Sequence, residues 1–358
     1  MMKHNFNAGP AAISQEALQK SAEAVINYNN TGMSILCMSH RSKEFEAIVN
    51  QTVKAVEELL QIPQGYKVLF LQGGASQQFA MIPMNLLVKK AAFVNSGVWA
   101  TKAIKEAKNF GEVIEVASTK DVNFCYLPKN WENNVPADVD YLHYTSNNTI
   151  YGTQYKSDPV VKVPLVSDMS SDIFCRPIDI KKYDAIYAGA QKNIGPSGIT
   201  LVIIKEEALG KVTRNIPMIF DYKNHIENNS LYNTPPTLAI YTCMLQLQWY
   251  LKLGGIEAIQ KINNEKATLL YNQIDSSRMF KGTVTKPEDR SVMNVTFVMK
   301  DEYKDLEEDF LKFAKSQNHE GLKGHRSVGG FRASIYNSVT LDDVKALVQT
   351  MKEFEQKH

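Results

Sequence analysis

From residue 67 onward the chain keeps returning to one texture. Short apolar runs bounded by turn or polar residues recur as KVLFLQ (67–72), AAFVNSG (91–97), VIEVAS (113–118), YLHYTSN (141–147), PLVSDMS (164–170), AIYAGA (185–190) and ITLVII (199–204). Stretches of helical spacing lie between several of them, among them SQQFAMIPMNLL and WATKAIKEAKNF. Ahead of the first run, KEFEAIVNQTVKAVEELLQ places Phe45, Ile48, Val49, Val56, Leu59 and Leu60 at helical intervals until Pro63 and Gly65 stop it. Strands alternating with helices predict a mostly parallel sheet covered on both faces. One link breaks the rule. Only eight residues, Gln191 to Gly198, separate the last two runs. A parallel crossover needs a dozen or more, so that pair is expected to be antiparallel. The expectation is a seven-stranded sheet with one strand reversed.

Past about residue 235 the pattern changes. PPTLAIYTCMLQLQWYLKLGG reads as a long helix stopped at Gly254-Gly255. Weaker strands follow in VMNVTFVM and FRASIYN. The chain closes on a helix with Thr340 as N-cap, Asp343 at its third position, and an apolar stripe of Val344, Leu347, Val348, Met351 and Phe354. The fold class expected is α/β, with a large domain over 16–254 and a smaller α/β domain from 1–15 and 255–358.

Composition narrows this picture only a little. The 358 residues are 44% hydrophobic and 22% charged, ordinary for a chain with a full core. A net charge of +2 gives no bulk reason to expect nucleic acid or an anionic membrane as partner. The cysteines Cys37, Cys125, Cys175 and Cys243 lie far apart with no zinc-ligand spacing, so free thiols, no metal and a cytoplasmic location are expected. The opening MMKHNFNAGPAAIS lacks the apolar run of a signal peptide, and no window reads as a membrane span. The sequon Asn147-Asn148-Thr149 is read as chance.

Chemistry gathers at the predicted strand ends. In AIYAGAQKNIGPSGITLVII, Lys192 sits in the short link between two buried-type strands. Apolar surroundings lower a lysine pKa and free the amine to act as a nucleophile, as a Schiff-base lysine requires. The plain alternative is a solvated lysine at a hairpin tip. Asp168 ends another run, where open α/β sheets bind ligands; it suits an anion beside a pyridine nitrogen, or a turn and cap. In LFLQGGASQQF, a strand runs through Gly73-Gly74 into Ala75, Ser76 and a helix. That turn offers N–H groups to a phosphate, or is simply tight. Trp99 could stack on a flat cofactor or fill core, and Thr149 could bond a ring oxygen or cap a turn. Near the C-terminus GHRSVGGFRAS gathers His325, Arg326 and Arg332 among glycines, echoing His40-Arg41-Ser42. Fixed arginine forks there suit a small anionic ligand.

These segments together resemble the phosphoserine aminotransferase family, of the class-V, fold-type-I pyridoxal-phosphate enzymes. The segments are AGAQKNIGPSG, SDMSSDI, LQGGASQQF, YNTPPT, NFNAGPAAI and GHRSVGGFRAS. The likeness runs from about residue 4 to the C-terminus. It implies that Lys192 carries pyridoxal 5'-phosphate and moves the substrate proton. It implies that Asp168 pairs with the pyridine nitrogen, Trp99 stacks on the ring and Thr149 bonds its hydroxyl. Ala75, Ser76 and Gln191 would hold the cofactor phosphate, with Asn233 and Thr234 reaching it from the partner subunit of a homodimer with shared active sites. His40, Arg41, His325 and Arg326 would bind the substrate phosphate and Arg332 the α-carboxylate. Some relatives carry arginine where this chain has Ser76. The implied reaction exchanges amino groups between L-glutamate and 3-phosphohydroxypyruvate in serine biosynthesis; some members also serve pyridoxine biosynthesis. The rivals are an alanine–glyoxylate-type aminotransferase, a cysteine desulfurase, which needs a reactive loop cysteine not evident here, and a non-catalytic binder of phosphorylated metabolites.

Overall fold

The computed structural model describes residues 3–358, so the first two residues of the segment assigned to the smaller unit lie outside it. The chain opens with a two-residue strand β1 (His4–Asn5) and helix α1 (Gln15–Asn27). Helix α2 (Lys43–Leu60) follows. It starts where Ser42 Oγ accepts the Phe45 N–H at 3.2 Å and ends where Gln61 turns left-handed. Its predicted stripe is buried, and each large side chain so removed from water contributes about 1.5–3 kcal/mol.

The predicted runs become strands β2 (Tyr66–Gln72), β3 (Lys90–Asn95), β4 (Glu112–Ser118) and β5 (Tyr141–Thr145). A small hairpin, β6 (Asn147–Asn148) with β7 (Thr153–Gln154), comes next, then β8 (Leu165–Asp168), β9 (Ala185–Gly189) and β10 (Ile199–Lys205). The seven long strands form one sheet in the order β2-β10-β9-β8-β5-β3-β4. As the short link requires, β10 runs antiparallel to both β9 and β2, while the other pairs are parallel. Strands buried on both faces read as unbroken apolar runs, which is why they were visible in the sequence. The faces are covered by α2 and α6 (Thr237–Lys252) on one side, and by α3 (Ala75–Leu86), α4 (Val98–Ala107) and the short α5 (Tyr222–Glu227) on the other.

A second apolar core unites Phe6 with residues between Ala267 and Phe354. It lies among α7 (Gly255–Ser276), the antiparallel strands β11 (Phe280–Gly282), β12 (Asn294–Met299) and β14 (Phe331–Ser334), and helices α8 (Glu307–Ser316) and α9 (Leu341–Lys357). Helix α9 starts on a complete capping box: Thr340 Oγ1 accepts the Asp343 N–H, and Asp343 accepts the Thr340 N–H. The first strand joins this unit, because β1 pairs in parallel with β13 (His319–Glu320). From there the chain crosses to the large sheet, where the Ala11 N–H donates to the Gln191 carbonyl at 2.8 Å. Long α7 was not anticipated; it begins directly after the Gly254 turn that ends α6, so one glycine pair serves both helices.

Among the described residues no helix is long and apolar enough to cross a membrane, no His/Cys/Asp/Glu cluster could hold a metal ion, and all four cysteines are free.

Candidate active site

Six parallel strands point their carboxyl ends to one edge of the sheet, and the groups singled out above come from the loops that follow them. Lys192 leaves the end of β9. Its Nζ donates to Thr149 Oγ1 at 2.8 Å and stands 5.9 Å from the centre of the Trp99 ring. Burial pushes its pKa down to about 8; the Asp168 charge opposes that shift and the Arg332 charge adds to it. Asp168 is the last residue of β8 and is buried. Its Oδ1 accepts from the Ser170 N–H at 2.9 Å and Oγ at 2.6 Å, while Oδ2 receives no hydrogen bond. Burial raises the Asp168 pKa, and the nearby Lys192 opposes this.

The turn after β2 needs its glycine. Gly73 has φ +93°, and a Cβ there would fall 2.1 Å from Gln77 Oε1. Gly74 then caps α3 without a side chain, so the N–H groups of Ala75 and Ser76 and the Ser76 hydroxyl find no acceptor in the protein. Gln191 lies over the bare end of β9, where a Cβ on Gly189 would come within 2.7 Å of its amide oxygen. Trp99 is the second residue of α4, and its Nε1 is buried without a partner.

Arg332 arrives from β14 of the smaller unit. One corner of its fork, Nη1, donates to the Thr149 carbonyl at 3.2 Å. The opposite edge is open: Nε is buried with no partner, Nη2 makes no hydrogen bond, and no carboxylate pairs with it. Burial lowers its pKa, with Tyr336 opposing. The loop just before β14 belongs to the same wall. Val328 packs with Trp99 and Tyr151, and His325 is held below its usual pKa by partial burial and by the charges of Arg332, Arg326 and Lys102.

Lys192, Asp168, Trp99, Thr149, Arg332 and the His325 loop therefore meet in one protomer. His40 and Arg41 stand apart from them, in the loop before α2, with Arg41 exposed. The Asn233-Thr234 loop lies beside the end of β2, where the Gln72 amide donates to the Thr234 carbonyl. Sequence reasoning passed over Lys102, whose Nζ is 4.6 Å from the Trp99 ring centre. Its place three residues after Trp99 on a helix was a readable signal.

A buried lysine, a carboxylate with one open oxygen, an unpaired indole and unclaimed N–H groups at a helix start form a donor set that fits pyridoxal 5'-phosphate. Fold and donor set together define a pyridoxal-phosphate-dependent transferase. The family model for class-V aminotransferases matches residues 3–347. Over their full lengths, the phosphoserine aminotransferase of Bacteroides fragilis is 54% identical to this chain, and that of Azobacteroides pseudotrichonymphae is 56% identical with 99% of its own length covered. Among solved structures, phosphoserine aminotransferase from Bacillus circulans subsp. alkalophilus superposes with a TM-score of 0.95 at 46% identity over 99% of each chain. The pyridoxal-phosphate-bound enzyme of Trichomonas vaginalis gives 0.92 at 38% identity, covering 98% of this chain and 99% of its own. The chain belongs to the class-V aminotransferases and, within them, to the phosphoserine aminotransferase family.

Proposed function

We propose that this enzyme transfers an amino group reversibly between L-glutamate and 3-phosphohydroxypyruvate, giving 2-oxoglutarate and O-phospho-L-serine, in the cytoplasm. The observation that carries this reading is the open Nε–Nη2 edge of Arg332 beside Lys192, with His325 and Arg326 farther along the same wall. A carboxylate fits the first and a phosphate the second, and the substrate carries both.

Bound pyridoxal phosphate supplies an electron sink that makes the substrate Cα proton removable. The protein's residues do the rest. Arg332 seats the α-carboxylate and so turns the Cα–H toward Lys192. Lys192, with its pKa near 8, takes that proton and returns it on the other side of the exchange. Thr149, hydrogen-bonded to Lys192 in the free protein, holds the amine in place until the cofactor occupies the pocket. Asp168, oriented by the two hydrogen bonds from Ser170, would supply the negative charge that the pyridine nitrogen needs. The Ala75 and Ser76 N–H groups and Gln191 hold the cofactor phosphate. Trp99 covers the ring face and, with Val328 and Tyr151, keeps water out. L-Glutamate uses the same seat, its side-chain carboxylate meeting the phosphate-binding cations, chiefly Arg41.

We propose further that the active unit is a homodimer. The segments carrying His40-Arg41 and Asn233-Thr234 are flanked by exposed Met33, Leu36, Tyr232 and Met218. The Tyr232 hydroxyl reaches the Met218 sulfur at 3.8 Å. Exposed apolar side chains around polar loops suit a subunit interface. Across it Asn233 and Thr234 would reach the partner's cofactor phosphate, and His40 and Arg41 would join the phosphate-binding set.

The test is a visible spectrum of the cofactor-loaded protein. Addition of L-glutamate should bleach the band of the lysine-bound cofactor. The phosphorylated keto acid should restore it, and pyruvate or glyoxylate should not. Restoration by all three would remove the phosphate-specific reading.

A further inference from the structure

Helix α7 carries three polar residues on its mostly apolar inner face, Asn263, Lys266 and Gln273, the first two three positions apart. Lys266 is completely buried, yet it forms no salt bridge. Its Nζ donates to three backbone carbonyls of one turn: Ile335 at 3.0 Å, Tyr336 at 2.8 Å and Val339 at 2.8 Å. An ammonium has three N–H donors and here each has its acceptor. Where β14 ends, the chain leaves the sheet ladder; the Tyr336 carbonyl also accepts the Val339 N–H at 2.9 Å, while those of Ile335 and Val339 would otherwise be orphaned in the core. A core lysine is costly, and burial pushes this one down to about 7 against the weak opposing charge of Asp343. The neighbouring positions Ala267 and Leu270 are apolar, so a methionine would fill the space without that cost.

The turn has two other attachments, and both lead to the active site. Asn337 donates its N–H to Asn193 Oδ1 at 3.0 Å and its side-chain amide to the Phe174 carbonyl at 3.0 Å, while Asn263 donates to Asn337 Oδ1 at 2.8 Å. Asn193 is the residue after Lys192. On the other limb, the Tyr336 hydroxyl donates to the Ala8 carbonyl at 2.8 Å and accepts from Asn294 at 3.1 Å. The same Asn294 amide donates to Ser334 Oγ at 3.0 Å, and Ser334 lies two residues beyond Arg332 on β14.

We propose that Lys266 is a positioning residue for the reaction: by fixing the turn Ile335–Val339 it sets the Lys192 loop through Asn337 and the Arg332 fork through Tyr336. This rests on the aminotransferase reading given above. The buried ammonium acts as a joint with two arms, one to the amine that moves the proton and one to the cation that seats the carboxylate.

The test uses the cofactor-loaded enzyme and two readouts that need no turnover. One is the dissociation constant of glutarate, an unreactive dicarboxylate, followed by the change it causes in the visible band. The other is the pH midpoint of that band. Lys266→Met should weaken glutarate about tenfold and move the midpoint by about half a unit. Tyr336→Phe should weaken glutarate and leave the midpoint in place. Asn337→Ala should move the midpoint and change the glutarate constant less than about twofold. If Lys266→Met lowers only the melting temperature, Lys266 is ordinary core and the proposal is wrong. If Lys266→Met does not fold, the two single-arm variants decide: the crossed pattern supports the proposal, and silence in either arm overturns it. A wild-type protein whose band glutamate does not bleach would instead overturn the aminotransferase reading itself.

Discussion

Replacing Arg332 with alanine removes a buried cation whose best edge is unused. Its Nε and Nη2 have no protein partner, so a bound carboxylate gains two charge-assisted hydrogen bonds. Each contributes about 1.5–3 kcal/mol, and together about 3–6 kcal/mol. At about 1.4 kcal/mol per decade this is a loss of about 10²–10⁴ in kcat/KM. The guanidinium is already largely desolvated by folding, which favours the upper part of that range. A second effect has the same sign. The Arg332 charge helps keep Lys192 near pKa 8, so its removal lets that pKa rise and leaves less free amine at neutral pH. The assay is the glutamate half-reaction, followed in a stopped-flow instrument through the cofactor band. The control substrate is 4-aminobutyrate, which is glutamate without its α-carboxylate. Arg332→Ala should slow glutamate by the factor above, while the slow 4-aminobutyrate rate shows only the smaller loss that comes from the Lys192 shift. Arg332→Lys, a point charge without the fork, should fall between. A glutamate loss below about tenfold, or equal losses on both substrates, would refute the clamp.

Lys192→Met should abolish the visible band and turnover, yet raise the melting temperature of the cofactor-free protein at pH 7. The folded pKa near 8 lies below the ordinary 10.5, so burial of this amine costs stability at neutral pH. That cost shrinks as pH rises from 8 toward 10.5, and so should the gain; a gain that stays constant with pH, by calorimetry, would count against a perturbed amine. His325 is neutral in the free protein near pH 7, being held below its usual value, and a bound phosphate would raise it again. Binding then takes up a proton. KM for the phosphorylated keto acid should fall as pH drops toward 6, with no such slope in His325→Asn. Ser76→Asp places a carboxylate among the unclaimed N–H groups at the start of α3. Cofactor affinity by equilibrium dialysis should drop by about 10²-fold or more, as a like charge meets the phosphate; undiminished affinity would move the phosphate seat elsewhere.

The sheet was legible because its strands are buried on both faces and so read as apolar runs, and the reversal of β10 followed from the length of a single link. The strand ends then pointed to Lys192, Asp168, Trp99 and Thr149, which the fold brings together. What the pattern did not reveal depends on contacts across the chain. β1 and β13 are two residues each, too short to carry a period. The role of Lys266 lies in three carbonyls some seventy residues away in sequence, which no local spacing encodes. The open edge of Arg332 is likewise a fact of geometry: the sequence marks an arginine among small residues, and only the structure tells which nitrogens are engaged.

The pairing of β1 with β13 bears on when this enzyme comes into being. His4 and Asn5 leave the ribosome some 315 residues before their partners His319 and Glu320. The segment between β1 and α1 also leans on Lys192, since Ala11 bonds the Gln191 carbonyl and Gly9 packs against Gln191 and Lys192. At about 5–20 residues per second, the leading strand waits many seconds for its mate. During that interval the sheet can fold, but the lysine loop lacks its final brace. The brace on the lysine loop is therefore complete only once β13 has paired with β1, and a nascent chain arrested short of residue 319 holds the reactive amine in an unfinished seat.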